Sequence, residues 1–297
     1  MRIAILVQCH KNPEQINKML CAMQHPAITF FIHVDKKATI EKDLLSGENI
    51  IQLPDAQRID VQWSKISQID ATLNLLEYAR KNGNYDFFWL CSGQDFPIKS
   101  ANQIVCWFEK HNENDFIELF PSRNTGLDYE NNYDKRNAIY FPEWMLGREH
   151  WQRIIKRLYI EMTGGYNRTF RFARRKPVDN MRFYYGSSWV CLTRRTLNWI
   201  TDYLNFHPDY YSFFKNCNCP DESFFQTLVM NSPYSNLRMD YLHFVEWIAG
   251  QNNPKLLTIE DYQKLKESDK LMARKFDMKV DKSIIEKLEL WGTDEKD

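Results

Sequence analysis

The sequence predicts an α/β fold built on an open, mostly parallel sheet. Short apolar runs alternate with segments of helical spacing through the first half of the chain. The run Phe87–Cys91 is continuously apolar, as expected of a strand covered on both faces. A length of 297 residues, with 43% hydrophobic and 26% charged residues, is that of an ordinary globular protein. We predict a single domain spanning residues 1–297.

Strands are predicted where apolar runs are short, and helices where apolar residues recur every three or four positions. In Ile66–Ala79, for example, the apolar side chains share one helical face. The predicted strands are Ile3–Val7, Ile28–Val34, Phe87–Cys91, Phe116–Leu119, Arg182–Leu192 and Leu271–Lys275. The predicted helices are Pro13–Gln24, Ile66–Ala79, Ala101–Lys110, Arg194–Leu204, Asp221–Met230, Ile259–Lys266 and Lys282–Leu288.

Residues 121–180 break this alternation, and we interpret them as a loop-rich insertion. They contain one amphipathic segment, Trp151–Tyr159, and a basic run at 168–176 interleaved with Phe170 and Phe172. Such a run is most often a solvated loop. The alternative is a peripheral contact with an anionic membrane surface or a lipid-linked acceptor.

Charge and composition exclude several classes of protein. Lys+Arg and Asp+Glu balance at 39 each, so no overall field favours nucleic acid. P-loop, dinucleotide-fingerprint and hydrolase-elbow motifs are absent. No segment approaches the roughly 18 apolar residues of a membrane span. Seven scattered cysteines favour reduced thiols, and we predict a cytoplasmic protein, with peripheral contact to the inner face of the membrane as the alternative.

Ligands of open α/β sheets bind outside the carboxyl ends of the strands. The loops expected to contact a ligand are therefore Gln8–Asn12, Asp35–Lys37 and Ser92–Lys99. The first of these contains His10, and the last contains Asp95.

Two further segments carry candidate chemistry. In Pro220-Asp221-Glu222, a proline and two acids precede an apolar periodic run, so the acids either cap a helix or present a carboxylate that accepts a proton. In Ala273-Arg274-Lys275-Phe276-Asp277, two cations at a strand end either form a solvated edge or present Lys275 to a phosphate.

No two aspartates are separated by a single residue anywhere in the chain. Many enzymes that use nucleotide-sugars hold a divalent ion with such an Asp-x-Asp pair. If this chain uses such a donor, cationic side chains must neutralise the diphosphate.

Six sequence blocks together resemble the core-2/I-branching β-1,6-N-acetylglucosaminyltransferase family, which also includes the peptide O-xylosyltransferases. They follow the family's order over nearly the whole chain. The blocks are Ile32–Ala38, Trp63–Lys65, Leu90–Lys99, Tyr185–Trp189 leading into Thr193–Arg194, Pro220–Glu222 and Ala273–Asp277.

The resemblance implies a GT-A-like fold, inversion at the anomeric carbon and a UDP-sugar donor bound without a metal cofactor. It assigns the catalytic base to Glu222 and the diphosphate ligands to Lys275 and Lys255. It implies that Asp35 lies at the nucleotide, where we also place His10. For the donor and acceptor pocket the candidates are Asp95, Ser187, Trp247 and Glu118. The amino-terminal anchor and paired luminal cysteines of the animal enzymes are absent, which indicates a bacterial-type member.

The acceptor is expected to be a glycan or a lipid-linked glycan, in polysaccharide assembly. N-acetylglucosamine is the favoured sugar, and xylose transfer within the same family is the nearest alternative. A non-catalytic module that binds a glycan or a nucleotide is the alternative from another class.

Overall fold

The computed structural model describes residues 1–119, 137, 139–164, 175, 176, 178–248 and 253–294. The chain divides into two compact units. Unit 1 comprises Met1–Arg58, Asn74–Asn114 and Tyr241–Asp297, and unit 2 comprises Ile59–Leu73 and Asp115–Asp240. That all of this forms one domain stays a prediction.

The core of unit 1 is a parallel sheet whose strand order is β3-β2-β1-β4. These strands are β1 (Ile3–Cys9), β2 (Ile28–Val34), β3 (Ile50–Gln52) and β4 (Phe87–Ser92). Every residue of β2 is buried, as are nearly all those of β1 and β4. The predicted α/β class with a mostly parallel sheet is confirmed. Cys9 pairs with Val34 and Gln8 with Ser92, so the three longer strands end at one edge.

Helices of unit 1 pack apolar faces onto the core. They are α1 (Pro13–Ala22), the part of α2 (Ser67–Lys81) from Asn74 on, α3 (Ala101–Lys110), α8 (Tyr262–Glu267) and α9 (Ser283–Asp294). In α1, Ile16, Met19 and Leu20 are fully buried. Ser100 begins α3 with a capping box completed by Gln103, which satisfies two backbone N–H groups.

A second, three-stranded sheet in unit 1 has the order β5-β10-β9. It consists of β5 (Asp95–Pro97), β9 (His243–Val245) and β10 (Met272–Arg274). Strand β10 runs antiparallel to β5 and parallel to β9. Only β10 was predicted, because three-residue strands leave no periodic pattern to detect.

In unit 2, β6 (Asp115–Ile117) lies antiparallel to β7 (Val190–Thr193) and parallel to β8 (Arg238–Met239). The buried Asp115 accepts hydrogen bonds from the Thr193 N–H at 2.7 Å and the Thr196 hydroxyl at 2.6 Å. One carboxylate therefore joins β6 to the end of β7 and to the first turn of the helix that follows.

The helices of unit 2 are α4 (His150–Met162), α5 (Arg194–Phe206), α6 (Pro208–Phe214) and α7 (Phe224–Asn231), together with the first part of α2. A small apolar cluster contributed by α4 and the residues preceding it contains Ile139, Phe141, Met145, Leu146 and Ile160. Helix α6 was not predicted. No helix among the described residues is long and apolar enough to cross a bilayer.

Two predicted elements of unit 2 are wrong in extent. The strand predicted at Arg182–Leu192 forms only from Val190. Before it, Gly186 packs tightly on the Glu118 carbonyl. The helix predicted at Asp221–Met230 begins at Phe224, and Pro220–Glu222 forms a separate 3₁₀ turn. Ser223 between them has non-helical angles (φ −139°, ψ −24°), which separates the two elements.

Candidate active site

The six sequence blocks divide evenly between the two units. Unit 1 contains Ile32–Ala38, Leu90–Lys99 and Ala273–Asp277, and unit 2 contains Trp63–Lys65, Tyr185–Trp189 and Pro220–Glu222. Within each unit the three blocks contact one another or share a neighbour, although they lie far apart in sequence.

In unit 1, the blocks meet beyond the ends of the parallel strands. The Asp35 N–H donates to the Cys9 carbonyl at 2.8 Å, which extends the pairing of β1 and β2 by one residue. The Phe276 N–H donates to the Gln94 carbonyl at 2.9 Å, and Arg274 pairs with Asp95 between β10 and β5. The chain after β4 and the chain after β10 are thus joined at this edge.

The buried Arg58 fixes the loop that carries Asp35. Its guanidinium donates to the carbonyls of Val34 and Asp35, both at 3.0 Å, and of Ala38 at 2.8 Å. Glu41 also contacts this guanidinium and supplies a counter-charge. Sequence reasoning missed Arg58, because its role depends on three carbonyls grouped only by folding.

His10 follows β1, is exposed and lies within electrostatic range of several charged groups. Desolvation lowers the pKa of its imidazole, and the charges of Lys11, Lys275 and Lys37 lower it further, against the opposing effect of Asp35. His10, Asp35 and Lys275 therefore share one electrostatic environment in unit 1. The surrounding lysines suit an anionic ligand.

Lys11 and Asn12 hold the end of the Ala273–Asp277 block. The Lys11 ammonium lies 3.0 Å from one Asp277 oxygen, and the Asn12 amide donates to the other at 3.1 Å. Asn12 has left-handed angles (φ 58°), which asparagine tolerates better than most residues. Burial raises the pKa of Asp277, but these contacts and the Lys279 N–H outweigh it, and the net shift is downward.

Lys275 directly follows β10 and is half-buried, while its carbonyl accepts the Leu257 N–H at 2.9 Å. The other predicted diphosphate ligand, Lys255, is ion-paired within unit 1. Its ammonium lies 2.6 Å from the buried Asp261 and 3.7 Å from Glu246. A diphosphate ligand at Lys255 would therefore have to share the ammonium with two carboxylates.

Asp95 is fully buried, so its carboxylate does not line an open pocket. One oxygen accepts the Ser92 N–H at 2.7 Å, and the other accepts the Ser92 hydroxyl at 2.7 Å. The Arg274 Nε lies 3.7 Å from Asp95 Oδ1, and the His243 Nε2 lies 3.4 Å from Oδ2. Burial raises the pKa of Asp95, but Arg274, His243 and Ser92 lower it more, and the net shift is downward.

Cys91, Asp95 and His243 form a buried group of metal-ligand type within the described residues. The adjacent Arg274 guanidinium already supplies positive charge to Asp95. A metal ion there would be repelled by this cation and would compete with the two Ser92 hydrogen bonds. We therefore interpret the group as structural.

Trp247 lies in unit 1, where it forms an isolated bridge with Pro254. Its side chain is 44% exposed, and an indole is a ring of the kind that stacks on sugars.

In unit 2, two residues with left-handed angles join the Trp63–Lys65 and Pro220–Glu222 blocks. Ser64 has φ 67° and Cys219 has φ 53°, angles that cost energy in residues other than glycine. The Cys219 N–H donates to the Ser64 carbonyl at 3.3 Å and to its hydroxyl at 3.2 Å. The Ser64 hydroxyl donates to the Asn218 side chain at 2.9 Å.

Asp221 orients the turn that carries Glu222. Its carboxylate accepts the Ser188 hydroxyl at 2.6 Å and the Gln68 amide at 3.4 Å. Glu222 is half-buried, and its own carbonyl accepts the Gly186 N–H at 2.9 Å. Glu222, to which the family resemblance assigns the role of base, is thus held through its own backbone and through the adjacent Asp221.

Gly186 brings three predicted site residues together. A Cβ at this position would lie 1.7 Å from the Glu118 carbonyl oxygen, so only glycine fits. Ser187 follows it, and its carbonyl accepts the Gln226 amide at 2.6 Å. The Glu118 side chain is 4% exposed, so a direct contact with an acceptor would require local rearrangement.

Arg175, in the predicted basic run, is used inside unit 2. Its guanidinium donates to the carbonyls of Phe213 at 2.6 Å and of Asn137 at 2.8 Å, and it stacks on the Phe213 ring. Arg175 is therefore neither a freely solvated side chain, as predicted for this run, nor available for the alternative of a membrane contact. Residues 168–174 of that run lie outside the described residues.

The sequence profile of the Core-2/I-Branching enzyme family matches residues 3–267. The chain belongs to this family. The match includes Glu222 and Lys255 and ends before Lys275. Membership agrees with the GT-A-like architecture that the six sequence blocks imply.

Curated relatives align with almost the whole chain. Xylosyltransferase 1 of Homo sapiens is 24% identical over 324 residues, which is 98% of this chain and 30% of that protein. Xylosyltransferase oxt of Drosophila melanogaster is 24% identical over 328 residues, 98% of this chain and 33% of that protein. The chain thus spans about a third of the length of these relatives.

Solved structures of two glycosyltransferases are distantly similar. The galactosyltransferase LgtC, in complex with donor and acceptor sugar analogues, has a TM-score of 0.41 and 12% identity, with 92% of this chain and 86% of that chain covered. Mouse xyloside xylosyltransferase 1 has a TM-score of 0.38 and 11% identity, with 91% of this chain and 97% of that chain covered. Similarities this low carry no residue assignment.

We expect Gly186→Ala to destabilise the protein by about 3 kcal/mol, because the added Cβ would overlap the Glu118 carbonyl and force the backbone to move. Urea unfolding would measure the loss. The matched control is Gly47→Ala, where a Cβ would meet nothing within 4 Å and the change should stay within about 0.5 kcal/mol. Equal effects of the two substitutions would contradict the role of Gly186.

Proposed function

We propose that this protein is an inverting glycosyltransferase that moves a sugar from a UDP-sugar to a hydroxyl of a glycan or lipid-linked glycan. The match to the Core-2/I-Branching enzyme family over residues 3–267 carries the proposal. The arrangement around Glu222 and the lysines near His10 supports it.

Glu222 is proposed as the catalytic base. It removes the proton from the acceptor hydroxyl as the oxygen attacks the anomeric carbon, and UDP leaves from the opposite face. A single displacement of this kind inverts the anomeric configuration. The hydrogen bonds from Gly186 to the Glu222 carbonyl and from Ser188 to Asp221 support the role, because a base must be held in a defined position.

Lys275 is proposed to bind the donor diphosphate and to stabilise the negative charge that develops on the leaving UDP. Lys11 and Lys37 lie in the same electrostatic environment around His10 and add positive charge there. Asp35 and His10 are proposed to contact the nucleotide. Lys255 remains a candidate second ligand, although it is ion-paired with Asp261.

Two donor sugars are candidates. N-acetylglucosamine is the expectation drawn from the family resemblance. Xylose is favoured by the names of the relatives, which are xylosyltransferases. Thermal shift with UDP-N-acetylglucosamine and UDP-xylose would separate them, since the ligand that binds the folded state raises its apparent stability.

A reducing compartment such as the cytoplasm is proposed as the location. All seven cysteines are free thiols. Burial raises the pKa of Cys9 to about 12 and that of Cys217 to about 11, so these thiols stay protonated and unreactive.

Glu222→Gln should reduce sugar transfer by about a hundredfold or more and leave UDP affinity nearly unchanged, because the amide keeps the shape of the side chain but cannot accept a proton. Product formation and UDP calorimetry would measure the two effects. Glu143→Gln, which changes an exposed carboxylate of unit 2, is the control and should retain activity. Retained transfer in Glu222→Gln would refute the base assignment, and no transfer or hydrolysis in the wild type would indicate a binding module.

Lys275→Ala should weaken UDP binding about tenfold or more, because a charge-assisted contact with the diphosphate contributes roughly 1.5–3 kcal/mol. Calorimetry with UDP and with uridine separates diphosphate contacts from base contacts, and uridine affinity should be unchanged. Lys255→Ala tests the second ligand, and Lys266→Ala, on the exposed surface of α8, is the control. A UDP affinity equal to that of the wild type would exclude Lys275 as a diphosphate ligand.

We expect transfer to persist in excess EDTA, because the proposed charge stabilisation comes from lysines and the chain contains no Asp-x-Asp pair. Initial rates with and without EDTA, then with added Mn²⁺ or Mg²⁺, provide the measurement. A loss of activity in EDTA that either metal restores would overturn metal independence.

A further inference from the structure

Helix α4 presents an apolar stripe to solvent. Trp151, Ile154, Leu158 and Met162 are 49%, 47%, 52% and 75% exposed, respectively. Their spacing of three, four and four residues places them on one helical face. Large apolar side chains that are exposed as a continuous stripe mark an interaction surface more often than scattered ones do.

This stripe is not the face that α4 packs on its own unit. Gln152 and Ile160 are buried on another side of the helix. The Gln152 amide donates to the carbonyls of Trp144 at 3.0 Å and of Leu146 at 2.9 Å, which fixes the rotation of α4. The helix therefore has a core-facing side and a separate outward apolar side.

A second tryptophan extends the stripe. Trp144 is 55% exposed, and its ring lies nearly parallel to that of Trp151, at an interplanar angle of 9° and a centroid distance of 6.5 Å. Tryptophan is enriched where an apolar phase meets water, because its ring is apolar and its N–H is polar.

Basic residues flank the stripe. Arg153 and Arg157 are exposed on the same helix, and Arg148 lies just before it. Glu161 pairs with Arg157 at 3.0 Å, and Glu143 and Glu149 are exposed just before the helix, so these acids offset much of this charge. In the sequence after α4, Arg168, Arg171, Arg174 and Lys176 add four basic residues, and residues 163–176 contain no Asp or Glu. Arg175 is excluded from this count, because its guanidinium binds carbonyls inside unit 2.

We propose that α4 docks on the surface of an anionic lipid bilayer, with Trp151, Ile154, Leu158 and Met162 buried at the level of the headgroups. The adjacent arginines match the negative surface charge of such a bilayer. The stripe covers eleven residue steps, about 16 Å of helix, which suits a helix lying in the plane of the interface. A docking surface of this kind goes beyond the transfer reaction proposed above.

Co-sedimentation with vesicles tests the proposal. The full chain should bind vesicles of phosphatidylcholine and phosphatidylglycerol at about 7:3 and bind pure phosphatidylcholine vesicles much more weakly. Binding should fall as salt rises from about 0.1 M to 0.5 M, because the arginine contribution is screened. Absence of binding to the anionic vesicles at low salt would overturn the proposal.

The triple variant Trp151→Gln, Ile154→Gln, Leu158→Gln should bind the anionic vesicles at least about tenfold less tightly, because it removes most of the apolar area that the bilayer would bury. The matched control is Phe206→Gln on α5 of the same unit, whose side chain is 81% exposed, and it should bind as the wild type does. Urea unfolding and UDP affinity would verify that both variants fold.

Unchanged vesicle binding in the folded triple variant would refute the role of the stripe. Gel filtration tests whether a second copy of the chain occupies the same surface. If the wild type is a dimer that the triple variant converts to a monomer, the stripe binds a second copy and the membrane proposal fails.

Discussion

The buried carboxylate of Asp95 is the constraint on which the organisation of unit 1 depends. An ionised carboxylate without exposure to water costs several kcal/mol unless cations and hydrogen bonds compensate. Ser92 supplies the hydrogen bonds from one side, and Arg274 and His243 supply electrostatic stabilisation from another. Because those partners come from β4, β10 and β9, satisfying Asp95 requires the second sheet to form where it does. Lys275 is the next residue after Arg274. The pairing of Arg274 with Asp95 therefore also fixes the backbone position from which the Lys275 side chain extends.

Unit 2 meets a steric constraint at Gly186. The Glu118 carbonyl approaches so closely that a side chain is excluded, and the Gly186 N–H turns toward the Glu222 carbonyl. Ser64 and Cys219 accept left-handed backbone angles nearby, each at a cost of about 1–3 kcal/mol. Strain of this kind persists only where surrounding contacts compensate for it. The hydrogen bonds between Ser64 and Cys219 provide that compensation directly beside the turn that carries Glu222.

The sequence predicts the three longer parallel strands of unit 1 well, since Phe87–Cys91 is apolar throughout and Ile28–Val34 is apolar except for Thr29 and His33. It misses the three-residue strand β3. It fails for elements whose formation depends on distant partners. The strand β9 has three residues and exists because β10 lies beside it. Helix α7 begins later than predicted because Ser223 adopts non-helical angles after the 3₁₀ turn, which composition does not encode.

The candidate site likewise has features that the sequence predicts and features that depend on the fold. Its residue types are readable as short blocks, and the rule that parallel strands end at one edge predicts the loops that carry His10 and Asp35. The role of Lys275 comes only from the family resemblance, since β10 lies outside the parallel sheet. The burial of Asp95 and Glu118 could not be predicted, because a carboxylate in a predicted loop is expected to be exposed unless its partners are known. Arg58 was missed for a related reason, since a guanidinium that binds backbone carbonyls has no sequence signature.

The charges in unit 1 bear on how a diphosphate would be bound. The Asp35 carboxylate lies 3.9 Å from the Lys37 ammonium, and Asp277 lies 3.0 Å from Lys11, so each acid is already matched by a lysine. A divalent ion would have to displace these ammonium groups before it gained carboxylate ligands. An incoming diphosphate would share these ammonium groups with the two carboxylates, and it would add negative charge where Lys11, Lys275 and Lys37 lower the pKa of His10. Desolvation is the largest cause of the lowered pKa of His10, and the lysines add to it. The negative charge of a bound diphosphate offsets the lysine contribution, so binding should raise that pKa. Titration of His10 by NMR, with and without UDP, would detect this shift, and an unchanged pKa would mean that the diphosphate binds elsewhere.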